Sequence, residues 1–180
     1  MNILPTEVND VLIIEPKIFQ DNRGFFMESW NQKLFNDAVG REINFVQDNH
    51  SRSSIGVLRG LHYQNPVAQG KLIRVIEGEI LDVAVDIRKN SSTFGKYVAI
   101  NLSANNYRQL WVPEGCAHGF LVKSKVAQIL YKATNYYSFE NEHCIMWDDK
   151  DLKIDWELTG DPVLSKRDQN GTEFQNSILF

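Results

Sequence analysis

The chain is poor in cysteine. Two of its 180 residues are cysteine, Cys116 and Cys144, too few for a disulfide framework and without the paired spacing of a zinc motif. A reducing compartment follows as the expectation. Long hydrophobic runs are also missing, and none approaches the length that spans a bilayer. The opening segment, Met1 to Glu7, has neither the basic region nor the apolar core of a leader peptide. Positive charge is not in excess: 19 Lys and Arg stand against 23 Asp and Glu, for a net charge of -4. That balance argues against nucleic acid or an anionic membrane as partner, since both select a basic field. Low-complexity tracts and strong repeats are absent. The expectation is a soluble, cytoplasmic protein with one domain over residues 1–180, and its 43% hydrophobic content is enough for a core.

What is present is a series of short β-rich segments separated by Gly, Asn, Asp and Ser. Val11 to Pro16, Gly24 to Trp30 and Ile43 to Gln47 read as strands. Lys71–Ile76, Glu77–Gly78 and Glu79–Arg88 read as a hairpin. Its second arm sets Leu81, Val83, Val85 and Ile87 against Asp82, Ala84, Asp86 and Arg88, the alternation of a strand. Tyr97–Leu102, Gln109–Val112, Gly119–Val122 and Ala127–Tyr131 continue the series. One short helix is expected from Gln32 to Val39, with Leu34, Phe35 and Ala38 on one side and Gly40 after its end. This spacing predicts an all-β sandwich or barrel, with room for one ligand among inward side chains.

Several polar residues fall inside these apolar segments. Arg59 and His62 lie in Gly56–Gln64, with Gln47, Asn49 and His50 just before. Lys71 opens the presumed hairpin, His118 follows the turn at Pro113–Gly115, and Tyr131 and Tyr137 close another segment. A single such residue is usually a satisfied core or surface group. Their number, beside Gly60, Gly70, Gly115 and Gly119, indicates a polar pocket where backbone and ligand approach closely.

These residues form an ordered set of motifs. Phe19-x-Asp21-x-Arg23-Gly24-x-Phe26-x-Glu28 comes first, followed by Gln47-x-Asn49-x-Ser51 and Gly56-Val57-Leu58-Arg59-Gly60-Leu61-His62. Next are Gln69-Gly70-Lys71, Asp82-Val83-x-Val85-Asp86-Ile87-Arg88 with Ser92-Thr93-Phe94-Gly95, and Gly115-x-Ala117-His118-Gly119-Phe120. Tyr131-Lys132, Tyr137, Glu142 and Leu164-Ser165-x-Arg167-Asp168 close the set. Nearly end to end, the chain resembles the deoxythymidine-diphosphate-4-dehydrorhamnose 3,5-epimerases.

The resemblance implies an all-β cupin jelly-roll barrel with a few short helices, a homodimer, and a nucleotide-sugar substrate inverted at C3 and C5 beside a C4 ketone. Such inversion needs a base, a stabiliser for the enolate oxygen, and an acid on the opposite face. The resemblance assigns His62 as base, Asp168 as its orienting carboxylate, Tyr131 as acid and Lys71 to the C4 oxygen. It assigns Arg23, Arg59 and His118 to the diphosphate or sugar, and Gln47, Asn49 and Glu28 to the nucleoside. Tyr137 would stack on the base, with Glu142 and Arg167 as further contacts; Arg167 stands where the family often has lysine. No metal and no redox cofactor is expected. Many cupins hold a divalent ion through two histidines one residue apart, whereas His62-Tyr63-Gln64 supplies one imidazole.

Two other readings compete. A single-site epimerase or keto-isomerase would share the pocket, but Tyr131 favours double inversion. A non-enzymatic nucleotide-sugar-binding cupin would need the basic and aromatic residues without His62, Asp168 and Tyr131 together.

Overall fold

The computed structural model describes residues 1–180. Its strands are β1 (Asn2–Pro5), β2 (Leu12–Glu15), β3 (Ile18–Asp21), β4 (Gly24–Met27), β5 (Gln47–Ser54), β6 (Leu58–Gln64) and β7 (Lys71–Glu77). The series continues through β8 (Glu79–Asp86), β9 (Tyr97–Ser103), β10 (Gln109–Val112), β11 (Cys116–Val122), β12 (Val126–Ala133) and β13 (Glu142–Cys144). A six-stranded sheet runs β1-β2-β10-β7-β12-β5 and a five-stranded sheet runs β13-β6-β11-β8-β9. Two packed antiparallel sheets make the expected jelly roll. Strands β3 and β4 pair only with each other. No helix is long and apolar enough to cross a membrane.

The interior between the sheets is filled by Ile73, Val75, Ile80, Val98, Leu102, Leu110, Phe120 and Ile129, among others. A second cluster lies on the far side of the five-stranded sheet, where Leu58, Leu61, Leu81, Val83 and Val85 meet Trp156 and Phe174 of the C-terminal segment. Strand β8 is therefore buried on both faces. That explains why its alternation is between two cores rather than between core and solvent.

Two sequence expectations need correction. Strands β7 and β8 are not a hairpin, because they belong to opposite sheets. The chain crosses between them at Gly78 (φ 77°), where an added Cβ would stand 2.0 Å from the Val126 carbonyl oxygen. The strand expected at Ile43–Gln47 is irregular up to Val46, and β5 begins at Gln47. The helix α1 (Gln32–Val39) does match, capped by the Asn31 side chain and closed by left-handed Gly40. Of its apolar residues only Phe35 is buried, seated against Trp30, Phe45 and Trp111, while Leu34 is exposed.

Candidate active site

Glycines bring the central strands of the site together. Gly60 (φ 128°) on β6 lies against Gly119 on β11, and a Cβ at Gly60 would fall 2.5 Å from the Gly119 Cα. The β6–β11 register shifts at this point, placing His62 directly opposite His118. Each histidine meets a buried aspartate. His118 Nε2 donates to Asp82 Oδ1 at 2.7 Å, with Asp82 fully buried. His62 Nε2 lies 2.7 Å from Asp168 Oδ1. That approach is off the ring N–H direction, so Nε2 has no in-line hydrogen-bond partner. The contact serves charge pairing more than linear hydrogen bonding.

Asp168 arrives from the C-terminal segment and is itself firmly held. The Gly60 N–H donates to Oδ1 at 3.1 Å and the Ser165 hydroxyl donates to Oδ2 at 2.6 Å. Burial alone would raise its pKa. The close contact with His62, the Ser165 hydroxyl and the Gly60 N–H outweigh burial and hold it down at about 2. Asp168 is thus an anion at neutral pH, ready to steady an imidazolium.

Across the interior, Tyr131 on β12 pairs in register with Asn49 on β5. Burial raises the Tyr131 pKa and the Glu142 carboxylate adds to the rise, with Arg59 opposing. The phenol therefore keeps its proton at neutral pH, as an acid must. Lys71 opens β7, whose start is fixed by the Gly70 N–H donating to Thr134 Oγ1 at 2.8 Å. Burial lowers the Lys71 pKa to about 8 although Glu142 and Asp82 oppose the fall. Lys71 and Tyr131 thus both lie within the electrostatic reach of Glu142.

The remaining expected residues divide. Tyr137 donates to Glu142 Oε2 at 2.7 Å, and the Arg167 guanidinium binds the same oxygen. Gln47 joins Asn49 Oδ1 at 2.9 Å and accepts from the Tyr137 N–H at 2.9 Å. Arg59 donates to Ser53 Oγ through Nε and Nη2 at 3.2 and 3.1 Å. Two residues stand apart. Arg23 sits on the β3–β4 turn, its side chain 86% exposed and paired with Asp21 at 2.6 Å. Glu28 is exposed and accepts from Asn31 at 3.2 Å. Asp82 and Ser165 carry site geometry that the sequence reading did not assign, although both lie in its motifs. Asp82 alternates with Ala84 and Asp86 along β8, a pattern that reads as a solvent face and gives no signal in the sequence.

Unpaired polar atoms mark this end of the interior as a ligand site. Asn49 Nδ2, Ser51 Oγ, His62 Nε2 and Asp82 Oδ2 are buried without a hydrogen-bond partner within the chain. Leaving such atoms unpaired costs about 1–3 kcal/mol each, which a polar ligand would offset. A cleft of about 170 Å³ shares Asn49 and Tyr131 with this site and is also lined by Leu72, Arg74, Leu130 and Lys132. Along β7 and β12 the last four alternate with Ile73, Val75 and Ile129 of the interior core, so that part of the lining lies on the opposite face of the sheet.

Comparison with known proteins agrees with this geometry. The family model described as dTDP-4-dehydrorhamnose 3,5-epimerase matches residues 5–176. The chain is 59% identical over 181 residues to dTDP-4-dehydrorhamnose 3,5-epimerase of Shigella flexneri, covering 100% of this chain and 99% of the relative. It is 54% identical over 173 residues to the enzyme of that name from Pseudomonas aeruginosa, covering 96% of each. Its fold superposes with a TM-score of 0.95 on dTDP-6-deoxy-D-glucose-3,5-epimerase of Legionella pneumophila in complex with dTDP-4-keto-L-rhamnose. That match has 49% identity and covers 97% of this chain and 93% of the other. The chain belongs to the dTDP-4-dehydrorhamnose 3,5-epimerase family.

Proposed function

We propose that the chain catalyses 3,5-epimerisation of dTDP-4-dehydro-6-deoxy-D-glucose to dTDP-4-dehydro-L-rhamnose. The observation that carries this reading is the pairing of His62, on one sheet, with an anionic Asp168 from the C-terminal segment, together with a protonated Tyr131 on the other sheet. His62 takes the proton from carbon next to the C4 ketone through Nδ1, the ring nitrogen not engaged with Asp168. The negative charge of Asp168 favours the imidazolium that results. Lys71 stabilises the enolate oxygen, and Tyr131 returns a proton from the opposite face. The same set acts at C3 and at C5, since each flanks the ketone. None of these steps requires a metal or redox cofactor.

The nucleotide end is assigned on the same reading. Arg59 and His118 meet the diphosphate or sugar, guanidinium forks being matched to phosphate oxygens. Gln47 and Asn49 bind the nucleoside, and Tyr137 stacks on the base, braced by Glu142 and Arg167. Arg23 and Glu28 complete the site only in a homodimer, which we include in the proposal. The β3–β4 hairpin supports it by presenting Phe19, Phe25 and Phe26 at 52%, 51% and 68% exposure, an apolar surface suited to a second copy. Light scattering should give twice the chain mass, and a monomer would remove Arg23 from the site.

Incubating the protein with dTDP-4-dehydro-6-deoxy-D-glucose and identifying the product by NMR tests the activity. The proposal expects the L-rhamno product, lost in His62→Ala. Unchanged substrate with intact binding would contradict it.

A further inference from the structure

We infer that His62, Cys144 and Asp168 together form an inhibitory site for a divalent cation of zinc character. Cys144 on β13 stands directly opposite His62 on β6. One ligand atom from each of the three residues lies within 4.8 Å of the others. Thiolate, imidazole and carboxylate are the three donor types that zinc selects, and three protein ligands leave a fourth position for water. Magnesium and calcium prefer oxygen-only sets, so the thiol selects against them. His62 Nε2 is buried yet has no in-line partner, while the side chain as a whole is 25% exposed.

Bond lengths of about 2.0–2.3 Å place tetrahedral zinc ligands about 3.3–3.6 Å apart. The His62–Asp168 contact would open by about 0.6 Å and the thiol would move in by up to about 1.3 Å, within the range of side-chain torsion. Burial and the neighbouring Asp168 raise the Cys144 thiol to about 12, so the free protein carries it protonated. Coordination breaks the S–H bond, forms the metal–sulfur bond and releases one proton to solvent, with no electron transferred. Affinity should therefore rise about tenfold per pH unit near neutrality.

The consequence for chemistry is specific. A neutral imidazole coordinated through Nε2 must carry its proton on Nδ1. Nδ1 then cannot accept a proton from substrate, and Asp168 is held by the metal. The inhibitory arm rests on the function proposed above, whereas binding does not.

Cobalt(II) is the probe, titrated into the metal-stripped full chain. A thiolate-to-cobalt charge-transfer band should appear in the parent protein and in Cys116→Ser, and vanish in Cys144→Ser. Zinc should displace the cobalt. In turnover, zinc should inhibit the parent, while Cys144→Ser keeps its metal-free rate and needs at least ~100-fold more zinc for equal inhibition. A parent protein without the band, a band that survives in Cys144→Ser, or equal zinc sensitivity in both would overturn the inference. Cobalt binding with the expected band in a protein that never turns over would uphold the site and sink only the function.

Discussion

His62 and His118 face each other across adjacent strands, and each is backed by a buried aspartate at 2.7 Å. The two contacts differ in kind. The His118–Asp82 bond is in line and fixes its ring, while the Asp168 carboxylate sits off the His62 N–H axis. Proton transfer is proposed for His62 and substrate positioning for His118.

Asp168→Asn should lower kcat by about 10²–10⁴-fold with a small change in KM, because the imidazolium loses its counter-charge. It should also change acid stability. The Asp168 pKa is about 2 in the fold and near 4 in the unfolded chain. Below neutrality the unfolded state binds the proton first, so this contribution is complete above about pH 5 and lost as pH falls towards 2. The contribution is about 2 kcal/mol. Urea denaturation at pH 6 and pH 3 should show a gap between parent and variant that shrinks at the lower pH; a constant gap would contradict the assignment.

Lys71 should set the alkaline limit of activity. Its pKa of about 8 means that the free enzyme loses the ammonium above that value. The kcat/KM profile should fall above about pH 8, and Lys71→Arg should carry the limb to higher pH. Lys71 also affects stability, with the same sign of pH slope as Asp168 but in an alkaline window. Between about 8 and 10.5 the unfolded chain binds more protons than the fold, so stability contributed here rises with pH across that window. A flat alkaline limb would remove the cationic role.

Tyr131→Phe should separate the two halves of the reaction. Proton abstraction by His62 survives, but delivery on the opposite face falls by about 10²–10⁴-fold. Substrate should exchange hydrogen with solvent while epimer formation nearly ceases. Equal loss of exchange and product would place Tyr131 in substrate binding instead.

Gly60→Ala tests the close strand approach. The added Cβ would collide with Gly119 backbone, at a φ of 128° that L residues avoid. The two effects together should cost about 2–4 kcal/mol, read as a fall in Tm. An unchanged Tm would show that the glycine pair is not needed to bring His62 opposite His118.

The sequence carried the fold where strands bury apolar faces, as in β9 to β12, and carried the helix through its Asn31 and Gly40 caps. It concealed β5, Gln-Asp-Asn-His-Ser-Arg-Ser-Ser, because the inward face of that strand is polar, so no apolar alternation exists. It suggested a hairpin at Glu77–Gly78 because local turn chemistry cannot reveal that the two arms join different sheets. The residues proposed to react were legible as polar interruptions of apolar strands. Asp82 was hidden by its alternation with Ala84 and Asp86, a pattern that reads as a solvent face. Arg23 was legible as a motif, but within the chain it stands exposed on the β3–β4 turn, and its place in the site rests on the proposed dimer.

The most direct measurement is hydrogen exchange at the two carbons flanking the ketone. The protein is incubated with dTDP-4-dehydro-6-deoxy-D-glucose in deuterated water, and C3 and C5 are followed by proton NMR. Deuterium entering both carbons with parent protein, and neither with His62→Asn, is the predicted result. Label at one carbon alone, or label that persists in His62→Asn, would contradict double epimerisation by a His62 base.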